Sequence, residues 1–203
     1  MNAETESRRK SSARLRLDSA SGLVRGARQV ASPNCDARPD AQDISLLVIH
    51  NISLPPGKFG GPQVEQLFTN RLDPAEHPYF ETIRGLKVSA HLFINRRGRV
   101  TQFVPLHRRA WHAGASQFAG RERCNDFSIG IELEGTDDRP YTAAQYRRLA
   151  QLTRMIMQAY PRIRARRITG HADIAPGRKT DPGPHFDWAR FRRQLWNLRL
   201  GPT

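Results

Sequence analysis

The chain has 203 residues, 38% hydrophobic and 26% charged, which fits one globular domain and excludes a collagen-like or wholly disordered protein. Its two cysteines, Cys35 and Cys124, are too few for a disulfide scaffold or a cysteine-rich zinc module. No apolar run approaches the ~18 residues of a membrane span, so we expect a cytoplasmic protein with no membrane partner.

The net charge of +14 is unevenly distributed along the chain. Residues 35–138 carry 12 basic and 13 acidic side chains, whereas residues 139–203 carry 14 basic and 3 acidic ones. A basic surface attracts phosphate, so a nucleic-acid-binding protein is one interpretation. We favour solvated helix faces with a general attraction for anionic ligands, and we expect no specific nucleic-acid partner.

Residues 1–30 are basic and lack a lasting apolar period, which predicts a flexible tail ahead of a domain over residues 31–203. The first strong element is residues 45–50, Ser-Leu-Leu-Val-Ile-His. This aliphatic and β-branched run precedes a Pro-Pro-Gly sequence and predicts a buried strand. His50 would then lie where the strand passes into a loop.

The middle of the chain predicts a short helix, a hairpin and another strand. Residues 62–70 begin with a proline and have apolar residues at helical spacing. Residues 91–94 and 100–104 are strand-like and flank a turn that contains Gly98. The alternation in residues 127–133 predicts a further strand.

The C-terminal part predicts the longest helix, over residues 142–160, with Thr142 and Gln145 as a capping box. A short strand at residues 167–169 follows, and Asp187 can cap a last helix. Strands interleaved with helices predict an α/β (α+β) fold with a central mixed sheet flanked by helices.

Polar residues stand at the ends of the predicted strands. His50 follows the first strand, Glu132 lies in a later one, and His171 follows the last. Beyond His171, the proline-rich loop at residues 170–184 contains Lys179 and Asp181. Two imidazoles and one carboxylate suffice for a catalytic zinc ion that keeps a fourth position for water.

A carboxylate beside such a site could act as a general base, and a lysine could face the oxyanion of a hydrolysed amide. The sequence pattern also allows purely structural roles for these residues. Glu132 or Glu134 could decorate a sheet face, and Lys179 could pair with Asp181 or Asp173. The H-E-x-x-H motif of many zinc peptidases is absent from the sequence.

Four segments carry a resemblance to a known family. Residues 47–57, 109–114, 120–135 and 178–184 resemble the cytoplasmic anhydro-muropeptide amidases, and the similarity extends in order over residues 31–191. That family belongs to the zinc amidases related to peptidoglycan recognition proteins and phage T7 lysozyme. The resemblance therefore implies a central mixed sheet with flanking helices, in agreement with the pattern above.

By resemblance, zinc is expected on His50, His171 and Asp181, with Glu132 as the general base and Lys179 as the oxyanion stabiliser. The implied reaction is hydrolysis of the amide between the lactyl group of (anhydro)muramic acid and the L-alanine of muropeptides. This reaction belongs to cell-wall recycling and links the family to β-lactamase regulation. We expect a monomer whose partner is an anhydro-muropeptide.

The resemblance also implies residues that bind the sugar and the stem peptide: Asn51, Lys87, His91, Trp111 and Arg123. An indole offers a flat face to a sugar ring, and a guanidinium can bind a carboxylate with two hydrogen bonds. Lys87 departs from the arginine expected there and provides a point charge instead. The alternative to an enzyme is a non-catalytic muropeptide-binding module of the same fold, although all five positions for metal and catalysis are filled.

Overall fold

A computed structural model describes residues 15–197. Its strands are β1 Arg16–Asp18, β2 Leu23–Arg25, β3 Arg28–Gln29, β4 Cys35–Asp36, β5 Leu46–Ile52, β6 Leu92–Ile94, β7 Val100–Gln102, β8 Arg109–Ala110, β9 Gln117–Phe118, β10 Arg121–Glu122, β11 Ser128–Glu134 and β12 Ile168–Gly170. Its α-helices are α1 Gln63–Phe68, α2 Pro78–Thr82, α3 Ala143–Ala159, α4 His171–Ile174 and α5 Trp188–Asn197. Three 3₁₀ turns connect them at Pro74–Glu76, Cys124–Asp126 and Ala165–Arg167.

Six strands form one mixed sheet in the order β12, β5, β11, β6, β7, β3. The first four run parallel to their neighbours, whereas β6 and β7 are antiparallel. The carboxyl ends of β12, β5 and β11 therefore lie at one edge of the sheet. The predicted mixed sheet is confirmed, and within the described residues no helix is both long and apolar enough to cross a membrane.

The two faces of the sheet carry different side chains and are covered by different elements, because successive side chains of a strand point to opposite sides. Leu47 and Ile49 of β5 and Ile131 of β11 pack beneath α3 and α5 in the largest apolar cluster. On the opposite face, β11 presents Gly130 and Glu132. This second face is covered by loops, and the polar side chains collect there.

Helix α3 forms as its sequence predicts. The Thr142 side chain accepts a hydrogen bond from the backbone N–H of Gln145, and the Gln145 side-chain oxygen accepts one from the backbone N–H of Thr142. The hairpin is also confirmed, with β6 and β7 joined by a turn in which Gly98 has a φ of 75°. Left-handed backbone of this kind favours glycine.

The boundary between tail and domain lies earlier than the sequence predicts. Residues 15–30 are part of the domain, since Val24 is fully buried in the largest core cluster and β3 pairs with β7. Gln102 fixes this segment by accepting a hydrogen bond from the Val24 backbone and donating one to the Gly22 carbonyl. Residues 1–14 of the predicted tail lie outside the described residues.

A buried arginine holds together the loops that cover the second face of the sheet. Arg38 is 7% exposed, and burial lowers the pKa of its guanidinium to about 10. It donates hydrogen bonds to the carbonyls of Leu106, His107, Asn125, Asp126 and Ser128. These bonds fix the turn that leads into β11.

Candidate active site

Three neighbouring strands bring the predicted site residues together at one edge of the sheet. His50 lies near the end of β5, Glu132 is its direct partner in the parallel register of β11, and His171 follows β12 at once. Asp181 lies in the loop after α4. The backbone N–H of Ala172 donates to the Asp181 carbonyl at 2.8 Å, which ties the loop to the first turn of α4.

Three donor atoms form a small triangle at the centre of the site. The Nδ1 atoms of His50 and His171 are 3.0 Å apart, and each lies 3.1 Å from Oδ2 of Asp181. Both histidines are buried, and the Asp181 side chain is 14% exposed. Among the described residues, this is the group that could hold a metal ion.

The electrostatics of the triangle suit metal binding. Burial lowers the pKa of His50 to about 4, although the hydrogen bond with Asp181 opposes this shift. Burial alone would raise the pKa of Asp181, but hydrogen bonds with both histidines outweigh it and hold that pKa well below its usual value. At neutral pH the site therefore offers a neutral imidazole and a carboxylate, the forms that bind metals.

Glu132 and Lys179 lie beside the triangle in a common groove. Glu132 is 8% exposed, and burial raises the pKa of its carboxyl well above the usual value, with Asp181 adding to the rise and Lys179 opposing it. Lys179 is exposed at the groove wall. Among the described residues it has no ion-pair partner, since Asp173 caps α4 and Asp181 pairs with the histidines.

The groove has a volume of about 510 Å³ and extends from the triangle across an apolar wall. Asn51 and Trp111, two of the predicted substrate-binding residues, line it, and their role stays a prediction. Two large exposed apolar side chains, Tyr79 and Leu86, also line it. A polar end with an apolar wall is typical of sites for organic ligands.

Three predicted substrate-binding residues lie elsewhere. The prediction for His91 is wrong, because its ring is fully buried, accepts a hydrogen bond from the Gly130 N–H and donates one to the Arg108 carbonyl. Arg123 is not among the residues that line the groove, and it pairs with Asp126 at 3.3 Å. Lys87 is exposed and lines a separate small cavity with Arg84 and Ile83.

Sequence reasoning gave no role to His112, although it lies in one of the family-like segments. Its Nδ1 atom is 2.9 Å from Nε2 of His50, and its Nε2 atom is 3.1 Å from the Ser128 hydroxyl. Neither periodicity nor spacing marks such a residue, since its contacts are 62 and 16 residues away in sequence.

Comparisons with known proteins agree with this geometry. The chain matches the model of the N-acetylmuramoyl-L-alanine amidase family over residues 40–184. It is 62% identical over 171 residues to the 1,6-anhydro-N-acetylmuramyl-L-alanine amidase AmpD of Escherichia coli strain K12, covering 84% of this chain and 93% of the relative.

Two solved structures place the fold in the same group. A crystal structure of a selenomethionine derivative of AmpD has a TM-score of 0.85 at 59% identity, covering 88% of this chain and 98% of that one. The amidase AmiD from E. coli, solved with the substrate anhydro-N-acetylmuramic acid-L-Ala-D-γ-Glu-L-Lys, has a TM-score of 0.56 at 30% identity and covers 89% of this chain and 65% of that one. The predicted family is confirmed: the chain belongs to the N-acetylmuramoyl-L-alanine amidases and is similar to AmpD over most of its length.

Proposed function

We propose that this amidase is zinc-dependent and hydrolyses the amide between the lactyl group of 1,6-anhydro-muramic acid and L-alanine in cell-wall fragments. The name of the E. coli relative and the substrate bound to AmiD support this substrate class. The observation that carries the proposal is the triangle of His50, His171 and Asp181 beside Glu132 in one groove.

The donor set fits zinc. Two imidazoles and one carboxylate, with the fourth position open, are a common ligand set of catalytic zinc sites. Tetrahedral ligands at ~2.1 Å from zinc are ~3.4 Å apart. The edges of the triangle, 3.0 to 3.1 Å, need to expand by only a few tenths of an ångström to reach that spacing.

A bound zinc ion supplies a Lewis acid that polarises the amide carbonyl and makes water more acidic. The protein supplies the proton transfers. The Glu132 carboxylate accepts a proton from the water that attacks the lactyl carbonyl, and it delivers that proton to the L-alanine nitrogen as the carbon–nitrogen bond breaks. The raised pKa of Glu132 makes its carboxylate a stronger base than an exposed one.

Lys179 provides a positive charge for the oxyanion that develops on the carbonyl oxygen. Asn51 and Trp111 are well placed to contact the substrate, because they line the same groove. We also propose a monomer that acts in the cytoplasm, as the family resemblance implies. No specific nucleic-acid partner is needed to explain the basic C-terminal part of the chain, whose charge also attracts anionic muropeptides.

The test is mass spectrometry of a 1,6-anhydro-muramyl tripeptide after incubation with zinc-loaded and with chelated protein. We expect the zinc-loaded protein to release the free tripeptide and anhydro-muramic acid, and the chelated protein to release neither. His171→Ala should lose bound zinc in elemental analysis, whereas the exposed His185→Ala should retain it.

Two results would contradict the proposal in different ways. Full zinc content in His171→Ala would remove that residue from the metal site. Tight binding of the tripeptide by zinc-loaded protein without any cleavage would indicate the non-catalytic muropeptide-binding module instead.

A further inference from the structure

The short segment His112–Ala113 contacts both imidazoles of the proposed metal site, on the side away from the metal. Nε2 of His50 is 2.9 Å from Nδ1 of His112, and Nε2 of His171 is 3.1 Å from the carbonyl oxygen of Ala113. The Nδ1 atoms of the same two rings face each other and Asp181. The dipeptide His112–Ala113 thus contacts the Nε2 atoms of both rings.

These contacts fix where the ring protons lie. A neutral imidazole that offers its Nδ1 lone pair to a metal carries its proton on Nε2. The Ala113 carbonyl can act only as an acceptor, so it selects this tautomer of His171. His50 likewise donates from Nε2, which requires that Nδ1 of His112 be unprotonated and accept.

The proton of His112 is then on its own Nε2 atom, where Ser128 is the acceptor. The Ser128 hydroxyl oxygen lies 3.1 Å away and is fully buried. The ring N–H groups of His50 and His112 therefore each have one acceptor.

The surrounding residues hold the segment in place. The Asn125 side-chain oxygen accepts hydrogen bonds from the backbone N–H groups of His112 at 3.0 Å and Ala113 at 2.8 Å. Arg178 donates to the carbonyls of Ala113 and Ala115, each at 2.6 Å. The segment is therefore anchored both at its backbone N–H groups and at its carbonyl.

A glycine in β11 makes room for the His112 ring. A Cβ atom at Gly130 would lie 2.6 Å from Cγ of His112, closer than real contacts allow. The ring therefore rests directly on the strand that carries Glu132, two residues farther along. Fixed packing on one side and a single hydrogen-bond direction on the other determine its orientation.

We propose that His112 is a positioning residue that holds His50 in the tautomer presenting Nδ1 to the metal, while the Ala113 carbonyl does the same for His171. This inference rests on the proposed metal site. Hydrogen-bond acceptors behind metal-binding histidines contribute 10- to 100-fold to metal affinity in other proteins. The same range is expected here for loss of the His112 acceptor.

The test compares two substitutions that separate the acceptor from the ring. His112→Phe keeps a ring against Gly130 and removes the acceptor, whereas His112→Asn removes the ring and keeps an acceptor oxygen at the position of Nδ1. Zinc affinity is measured by competition with a chelator, and stability by urea unfolding of the zinc-free proteins. We expect a 10- to 100-fold weaker zinc affinity for the phenylalanine variant, with the asparagine variant within about threefold of the wild type.

Nitrogen-15 NMR of the histidine rings in zinc-loaded wild-type protein provides a second measurement that needs no variant. His50, His171 and His112 should each carry their proton on Nε2. A proton on Nδ1 of His112 would overturn the inference, as would equal losses of zinc affinity in the two His112 variants or no loss in His112→Phe. If the wild type itself binds no zinc, the proposed function fails first, and the two failures are thereby distinguished.

Discussion

Replacing Glu132 by glutamine should stabilise the zinc-free protein and remove most of the activity. The carboxyl is 8% exposed, and within the described residues its Oε2 atom has no hydrogen-bond partner. The nearby Asp181 disfavours a second negative charge. A neutral amide of almost the same shape carries no charge, so it avoids the repulsion from Asp181 and the cost of burying an unpaired charge.

The size and the pH dependence of this effect follow from the raised pKa. Between the usual value of 4.5 and the higher folded-state pKa, the folded protein binds more protons at Glu132 than the unfolded chain does. Stability therefore falls as the pH rises through this range. Neutralising a buried charge that lacks a hydrogen-bond partner is worth ~1 to 3 kcal/mol, and each kcal/mol changes the melting temperature of a domain of this size by ~2 to 4 °C.

Thermal unfolding of chelated wild type and Glu132→Gln at pH 5 and pH 8 measures this difference. The gain should be larger at pH 8, while kcat of the zinc-loaded variant falls by ~10² to 10⁴. Glu134→Gln is the control on the same face of β11. The Glu134 carboxylate accepts hydrogen bonds from the N–H groups of Gly60 and Arg96, so its replacement should lower the stability of the protein. A gain that is independent of pH, or a variant with normal kcat, would refute the reasoning.

Three further outcomes are expected. Lys179→Met should lower kcat by ~10² to 10³ with zinc content unchanged, because it removes one oxyanion partner; a change confined to KM would assign it to substrate binding instead. Removal of residues 2–30 should destabilise the domain by at least ~2 kcal/mol in urea unfolding, because Val24 leaves the core. Burial lowers the pKa of His91 from 6.5 to about 3, so its contribution to stability is present above pH 6.5 and is lost as the pH falls toward 3. Zinc-free His91→Asn should therefore lose less stability than wild type between pH 6.5 and 4.5, and equal losses would contradict this.

The sequence predicted the elements whose signals are local. The capping box of Thr142 and Gln145 marks the start of α3, and the glycine at position 98 marks the hairpin turn. The position of His50 near the end of a buried strand follows from the aliphatic run before it. Each of these features depends on residues only a few positions apart, so the pattern along the chain contains the necessary information.

Features that depend on distant contacts could not be predicted in this way. Strand β3 has two exposed residues and no periodicity, and it forms because its backbone pairs with the edge strand β7. His91 and His50 both stand at strand ends in the sequence, yet the packing of Arg108 and Gly130 around His91 places it in the interior. A sequence pattern does not reveal which histidine faces a groove when the covering loops come from elsewhere in the chain.

Different parts of the chain position the reactive groups of this enzyme and line the rest of its groove. Seven residue pairs join β5 to β11 and hold the reactive groups in place. The distance from Glu132 to His50 is set by backbone hydrogen bonds, and a slip of one residue would turn Glu132 toward α3. The apolar wall, in contrast, comes from residues such as Tyr79 and Leu86, which lie in the connection between β5 and β6. Libraries that vary residues 72–88 should therefore change which glycopeptides are accepted while the hydrolytic geometry is preserved.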